Sequence, residues 1–491
     1  MRLAFSGPAT AFHGYGKYLT PVRLALLGSV VLSLIAVLGV VTVGKDGALY
    51  LDIAERIGSA GVVEAWKGFD WPWYPLLLAG THKVTGLSYE AAAYAWNTLF
   101  IAGTCGLLVD SVRRIAPGAE WWACLAVLSM PAMNQFRSDI IRECGFWFFC
   151  SLALWLALRC REDARWSRLL AACMAVGLAA LFRLEAVVVL PALLLCTLPE
   201  LLRARWHPGL AVAVALLLTV ALVVLGIFLA RDAVNSQRVS YFMELIDPRM
   251  VFGSFNQLAG QFSRSLVNPY SADEAGRIIF FGFTASLLIK LVHLMGPVAL
   301  VWVSPSSWSA WKDYGRRFTP AAWIALCYIT ILMVFYIRAQ FVNGRYLSFL
   351  DLLLVPLLAL ACWRFSMRHP RLGKCIAALA LVVMLGNVIS LGAPKTHYLE
   401  AAKWVAGHTD PTASVFYEDG RIGYYAGRGY VQTGLTREQA MAEGMAERYT
   451  YLVIETAERD PWLDSWLAIH PYKVLARFQN RKHDAVVVLG R

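Results

Sequence analysis

The sequence predicts a mostly α-helical, polytopic membrane protein with a small C-terminal α/β domain on the non-cytoplasmic side. Three observations carry this. Of 491 residues, 58% are hydrophobic and only 16% charged, whereas soluble domains carry roughly 25% charged residues. Apolar runs recur from Val22 to Gly392, many of them near the ~20 residues that a helical span requires. After about residue 395 that pattern stops, and charged, polar and aromatic residues intermix. A soluble enzyme would need every run to be a buried helix, and the runs are too long and too many for that.

Spans are expected near 22–43, 89–112, 119–135, 141–159, 169–183, 184–200, 209–230, 279–303, 320–337, 346–363 and 375–392, eleven in all. The first is too long for a signal-peptide core and lacks a clean small-residue cleavage site, so it is expected to stay as an anchor. Basic residues gather in alternate loops: Arg2, Lys17 and Arg23; Arg113 and Arg114; Arg159, Arg161, Arg165 and Arg168; Arg203 and Arg205; Lys312, Arg316 and Arg317; Arg364, Arg368, Arg371 and Lys374. With eleven spans all of these fall on one side, which the positive-inside rule makes the cytoplasm. Residues 169–200 must then form a hairpin, because basic loops stand at both of its ends. The outer face receives loops 44–88 and 231–278 and a soluble domain, 395–491, beyond a membrane domain, 1–394.

The net charge of +12 is explained by these loops. It forms no stripe, so a nucleic-acid partner is not expected. The ten cysteines lie between Cys105 and Cys375, in or beside apolar runs, and read as reduced packing residues rather than a disulfide framework or a zinc site. No phosphate-loop GK[ST], HExxH or GxSxG occurs. No internal repeat is evident, which weakens a transporter built from symmetric halves.

Chemistry-bearing residues collect on the outer face. Asp46 and Tyr50 open the first outer loop at helical spacing, on an expected amphipathic helix from Gly47 to Ile57. As a helix cap, Asp46 would only satisfy free N–H groups. Asp70 sits in Phe69-Asp70-Trp71-Pro72-Trp73-Tyr74-Pro75, where the prolines argue against a regular helix. Rings there suit a headgroup-zone anchor, but a carboxylate among aromatics needs a partner or a metal. Arg137, Asp139, Arg142 and Glu143 enter the fourth run, where charges are costly and face an interior cavity. Arg183 and Glu185, between two apolar runs, form either a structural ion couple or the wall of an anion site. Arg338 and Arg345 flank a later outer loop. They read as snorkelling anchors or as phosphate ligands, for which the guanidinium fork is well shaped.

In order along the chain, these motifs resemble the GT-C glycosyltransferases. That integral membrane group uses polyprenyl-phosphate sugars, and includes protein O-mannosyltransferases and the bacterial aminoarabinose transferase of lipid A. The resemblance rests on one span followed by Asp46-x-x-x-Tyr50, then FDWPWYPLL, RLEAVVVLPALL and GRYLSFLDLLLVPLLAL. It ends on YLEAAKWVAGHTDPTASVFYEDGRIGYYAGRGY in the tail. Two positions depart from the family pattern: Trp73 replaces the second proline of a pair, and Gly47 replaces an acid beside the first Asp.

The resemblance implies a GT-C fold in a bacterial inner membrane and transfer of a sugar from a polyprenyl-phosphate donor to an extracytoplasmic glycan, lipid or protein. It implies Asp46 as catalytic base in an inverting displacement. Asp70 would line the site and is the candidate ligand for a divalent ion near the phosphate. Arg183, Arg338 and Arg345 would stabilise the phosphate, with Tyr50, Asp139 and Glu185 as further substrate-binding candidates. Two other classes compete: a transporter or lipid flippase for envelope glycoconjugates, whose outer charges would be gates, and an inactive scaffold. The tail alternates a helical EAAKWVAGH with the strand-like ASVFYE, YTYLVIE and AVVVLG, and nothing in it reads as catalytic.

Overall fold

The computed structural model describes residues 19–163, 165–203, 244, 247–390, 392–431, 434–457 and 460–491. The expected span 209–230, residues 231–243, 245 and 246 of the 231–278 loop, and Arg2, Lys17 and Arg205 lie outside the described residues. Among the described residues, six helices are long and apolar enough to cross a membrane: Pro21–Leu38, Tyr89–Ile115, Glu143–Asp163, Ala275–Val303, Thr319–Ala339 and Pro370–Val388. A seventh is the pair Gly344–Leu353 and Val355–Arg368, bent by 60°. The polytopic helical fold is as expected; eleven full-length spans are not what the described helices give.

Several of the expected runs are shortened, bent or interrupted, each for a local reason. The run 119–135 is divided into Glu120–Ser129 and the short Pro131–Asn134, because Met130 is extended ahead of Pro131, a conformation that proline imposes on the residue before it. In the bent pair, Pro356 stands at the start of the second helix, where it removes an N–H and pushes away the carbonyl four residues back. Gly296, at φ +68°, closes Ala275–Met295, and a 3₁₀ stretch follows. A Cβ there would meet Pro131 Cδ at 2.8 Å, so both the backbone conformation and the space require glycine. The run 169–200 does divide, into Trp166–Phe182 and Leu184–Val188 followed by Val189–Arg203.

The chain falls into two compact units. The first comprises Met1–Leu34, Trp96–Arg137 and Arg142–Val388; the second comprises Ile35–Ala95, Ser138–Ile141 and Ile389–Arg491. In the first, Glu143–Asp163 packs along Trp166–Phe182. Gly145 permits the approach, since a Cβ there would lie 2.3 Å from the Phe182 ring. Large apolar side chains such as Leu27, Ile289 and Val382 remain exposed on the span helices, as lipid-facing positions should. Among the described residues, the ten cysteines form no disulfide.

In the second unit the tail builds a four-stranded sheet from β1 (Val415–Tyr417), β2 (Tyr451–Thr456), β3 (Lys473–Gln479) and β4 (Ala485–Gly490), in the order β1-β2-β4-β3. β1 runs parallel to β2, and the other pairings are antiparallel. Side chains alternate across the strands. Leu452, Ile454, Val487 and Leu489 pack with Leu463, Trp466 and Tyr472 on one face. Val453, Val486 and Val488 pack with Tyr398, Ala402 and Val405 on the other. Both faces are therefore covered, which is why AVVVLG is apolar throughout rather than alternating.

Candidate active site

The outer-loop motifs begin at helix Lys45–Ala60. Its N-cap is Gly44, extended at ψ 165° and without a side-chain bond, so Asp46 lies within the first turn and is not the cap itself. A carboxylate is favoured there by the partial positive charge of the free N–H groups. Asp46 is half-buried. Tyr50, one turn on, projects from the same side of the helix. Its buried ring meets Tyr74 edge-on at 5.4 Å and Phe69 at 5.7 Å, which fastens the aromatic stretch to the helix. Half-buried Asp70 follows Phe69 directly, just ahead of helix Trp73–Thr85. That helix includes Pro75 in its first turn, where no intrahelical N–H bond is lost. The expectation that the prolines forbid a helix is corrected to this extent.

Asp139 reaches the same helix start: its Oδ1 lies 3.7 Å from where a Cβ on Gly44 would stand. Ile140 accounts for the departure at Gly47. A Cβ on that residue would come within 3.0 Å of the Ile140 Cβ, so this chain has little space where the family pattern carries an acid. Among the described residues, no three His, Cys, Asp or Glu side chains converge in a way that could hold a metal ion.

The tail grips this helix, which the sequence reading missed. The Val43 N–H donates to the Tyr425 hydroxyl at 2.8 Å, and the Tyr424 hydroxyl donates to Glu55 Oε1 at 3.0 Å. Lys45 pairs with Asp419 at 3.4 Å. Burial alone would raise the Asp419 pKa, but hydrogen bonds from Arg421 and the charges of Arg421 and Lys45 outweigh it and bring the carboxyl down to about 2. Tyr430 is shifted upward, first by burial and then by the negative charges of Asp419 and Asp46, so its hydroxyl stays protonated close to Asp46. The signal was present in YEDGRIGYYAGRGY, whose tyrosines had no assigned task.

In the membrane unit, Arg183 is the centre of a buried ion cluster. Phe182 ends its helix and Arg183 turns extended, which directs the guanidinium back toward the start of Glu143–Asp163. It donates to Glu143 at 2.8 Å and also to Glu185, and lies 4.3 Å from the centre of the Tyr346 ring. Arg345 stands 3.8 Å from the same Glu143, and Arg142 interacts electrostatically with Glu185. Arg183, Arg345 and Arg142 thus gather about Glu143 and Glu185. Sequence reading paired Arg183 with Glu185 but did not identify Glu143 as the shared partner. Arg338 instead pairs with Glu244 at 2.5 Å. Arg137 belongs to the packing, donating to Ser29, Ser33 and Asn134 from a fully buried position.

No family model matches the chain, and no curated protein does. Solved structures do. The crystal structure of ArnT from Cupriavidus metallidurans in the apo state aligns with a TM-score of 0.58 at 15% identity, over 95% of this chain and 97% of that one. The same protein bound to undecaprenyl phosphate aligns with a TM-score of 0.61 at 16% identity, over 97% and 98%. From its first span to its terminal sheet, this chain shares the fold of that protein.

Proposed function

We propose that the protein is a GT-C glycosyltransferase that moves a sugar from a polyprenyl-phosphate donor to an extracytoplasmic acceptor. One observation carries the reading: this fold, shared along nearly its whole length with a protein crystallised with undecaprenyl phosphate, gathers Arg142, Arg183 and Arg345 about Glu143 and Glu185. A lipid-linked phosphate that develops charge as it leaves is the chemistry such a cluster suits.

Asp46 accepts the proton of the acceptor hydroxyl or amine. The acceptor atom attacks the anomeric carbon as the bond to the phosphate oxygen breaks, and the configuration inverts. Positioned base catalysis contributes roughly 10²–10⁴-fold. Arg345, at the edge of the cluster, receives the leaving phosphate; Arg183, held by two carboxylates, keeps the cluster in place. Arg338 completes the positive field. Tyr50 positions Asp46 and the aromatic wall, and Asp70 and Asp139 line the acceptor side. The protein lies in a bacterial inner membrane with its N-terminus in the cytoplasm and residues 395–491 outside, beyond the membrane domain 1–394.

The test uses purified protein in nanodiscs with a panel of radiolabelled polyprenyl-phosphate sugars. Cleavage to polyprenyl phosphate with label passing to an acceptor is the expected result. Movement of an intact labelled lipid across proteoliposomes, with no cleavage of any donor, would replace this reading with a flippase.

A further inference from the structure

The tail contains a cavity of about 540 Å³ lined by Lys395, His397, Arg437, Glu455, Asp460 and Asp484, and no role above uses it. We propose that it binds a neutral or amino-bearing saccharide unit of the acceptor, an assignment that rests on the transferase reading only for the source of the sugar. The volume suits a ligand of one or two rings, within the roughly 300–1,000 Å³ of small-molecule sites.

The polar lining selects the chemistry. Arg437 is committed to Asp460 at 2.6 Å and to the Glu455 carbonyl at 3.0 Å. Asp484 accepts from the Asn480 amide at 2.9 Å through one oxygen. His397 is 3% exposed, yet its Nδ1 is buried with no hydrogen-bond partner, although an unmet buried polar atom is costly. Burial lowers the pKa of this imidazole, against the opposing charge of Asp484, so the ring is neutral near pH 7 and can exchange one hydrogen bond with a hydroxyl. Two basic side chains face three carboxylates, which disfavours phosphate, sulfate or a uronate. An apolar ligand would strand the polar groups. Sugar hydroxyls both donate and accept, and they match a wall that carries lysine and imidazole together with carboxylates.

The full chain in nanodiscs, free of glycoside detergents, is examined by saturation-transfer NMR with methyl β-glucoside, glucosamine and glucuronate. The proposal expects transfer to the first two and little to the third. Lys395 and Asp484 are exposed at the rim, so their substitution leaves the fold intact. Asp484→Asn and Lys395→Gln should each weaken binding about tenfold, the scale of one charge-assisted hydrogen bond. Equal signals in wild type and both variants, preference for glucuronate, or no transfer to any probe would overturn the site. Displacement of the glucoside by a polyprenyl-phosphate sugar would overturn its assignment to the acceptor. None of these readouts needs turnover, so failure here is separable from failure of the transferase reading.

Discussion

An arginine between two carboxylates in a membrane helix bundle is worth keeping only if each charge is compensated, because leaving one of them alone costs roughly 3–5 kcal/mol. Glu143 is therefore the residue on which Arg183 and Arg345 both depend. The two arginines have different tasks on this account. Arg345→Lys keeps the charge but loses the planar fork, so kcat/KM should fall about 10–100-fold while melting in detergent stays near wild type. A large loss of stability with normal turnover would return Arg345 to a structural role. Asp419 carries a prediction of another kind. Its carboxyl titrates at about 2 in the folded protein against 3.8 in a free chain. A depressed pKa gives stability that is complete above the unfolded value and is lost as pH falls toward the folded one. Wild type should thus lose about 2 kcal/mol between pH 4 and pH 2 from this group. Asp419→Asn should be less stable at pH 7 and lack that component of its acid profile, as hydrogen exchange across the tail would register.

At the scale of elements, the start of helix Lys45–Ala60 is crowded by design. Gly47→Val forces a side chain against Ile140 and should cost about 1–3 kcal/mol, with Ile140→Ala on that background restoring part of it. Equal melting of Gly47→Val and wild type would remove Ile140 as the reason for glycine. This is also where the sequence was legible only in part. Periodicity showed that an amphipathic helix follows the first span, because Tyr50, Ile53 and Ala54 recur on one side. It did not show that Ile140 closes the Gly47 side, a contact with no sequence-local trace. β3 was missed because KVLARFQ is an edge strand with mostly exposed side chains, so no apolar alternation marks it. The breaks at Met130 and Leu354 were readable in principle from Pro131 and Pro356, but the apolar runs containing them extend straight across. Glu143 reads locally as an ordinary first-turn acid, and only the fold brings Arg183 back to it.

For the whole molecule, fold class was the most legible feature. Charge content, run length and the change of composition near residue 395 are global properties that survive errors in any single boundary. The number of full-length spans was less so, since composition marks an apolar segment without saying whether a proline divides it. Putting the candidate residues in their local settings required coordinates. Asp46, Tyr50, Asp70 and Asp139 share one unit with the tail, while Arg183, Glu185, Arg338 and Arg345 belong to the other. The measurement that tests the central claim most directly is sugar transfer by wild type and Asp46→Asn, with the anomeric configuration of the product read by NMR. The account predicts an inverted product from wild type, and a rate reduced about 10²–10⁴-fold in a variant that melts like wild type. Retained configuration, or equal rates in the two proteins, would contradict it.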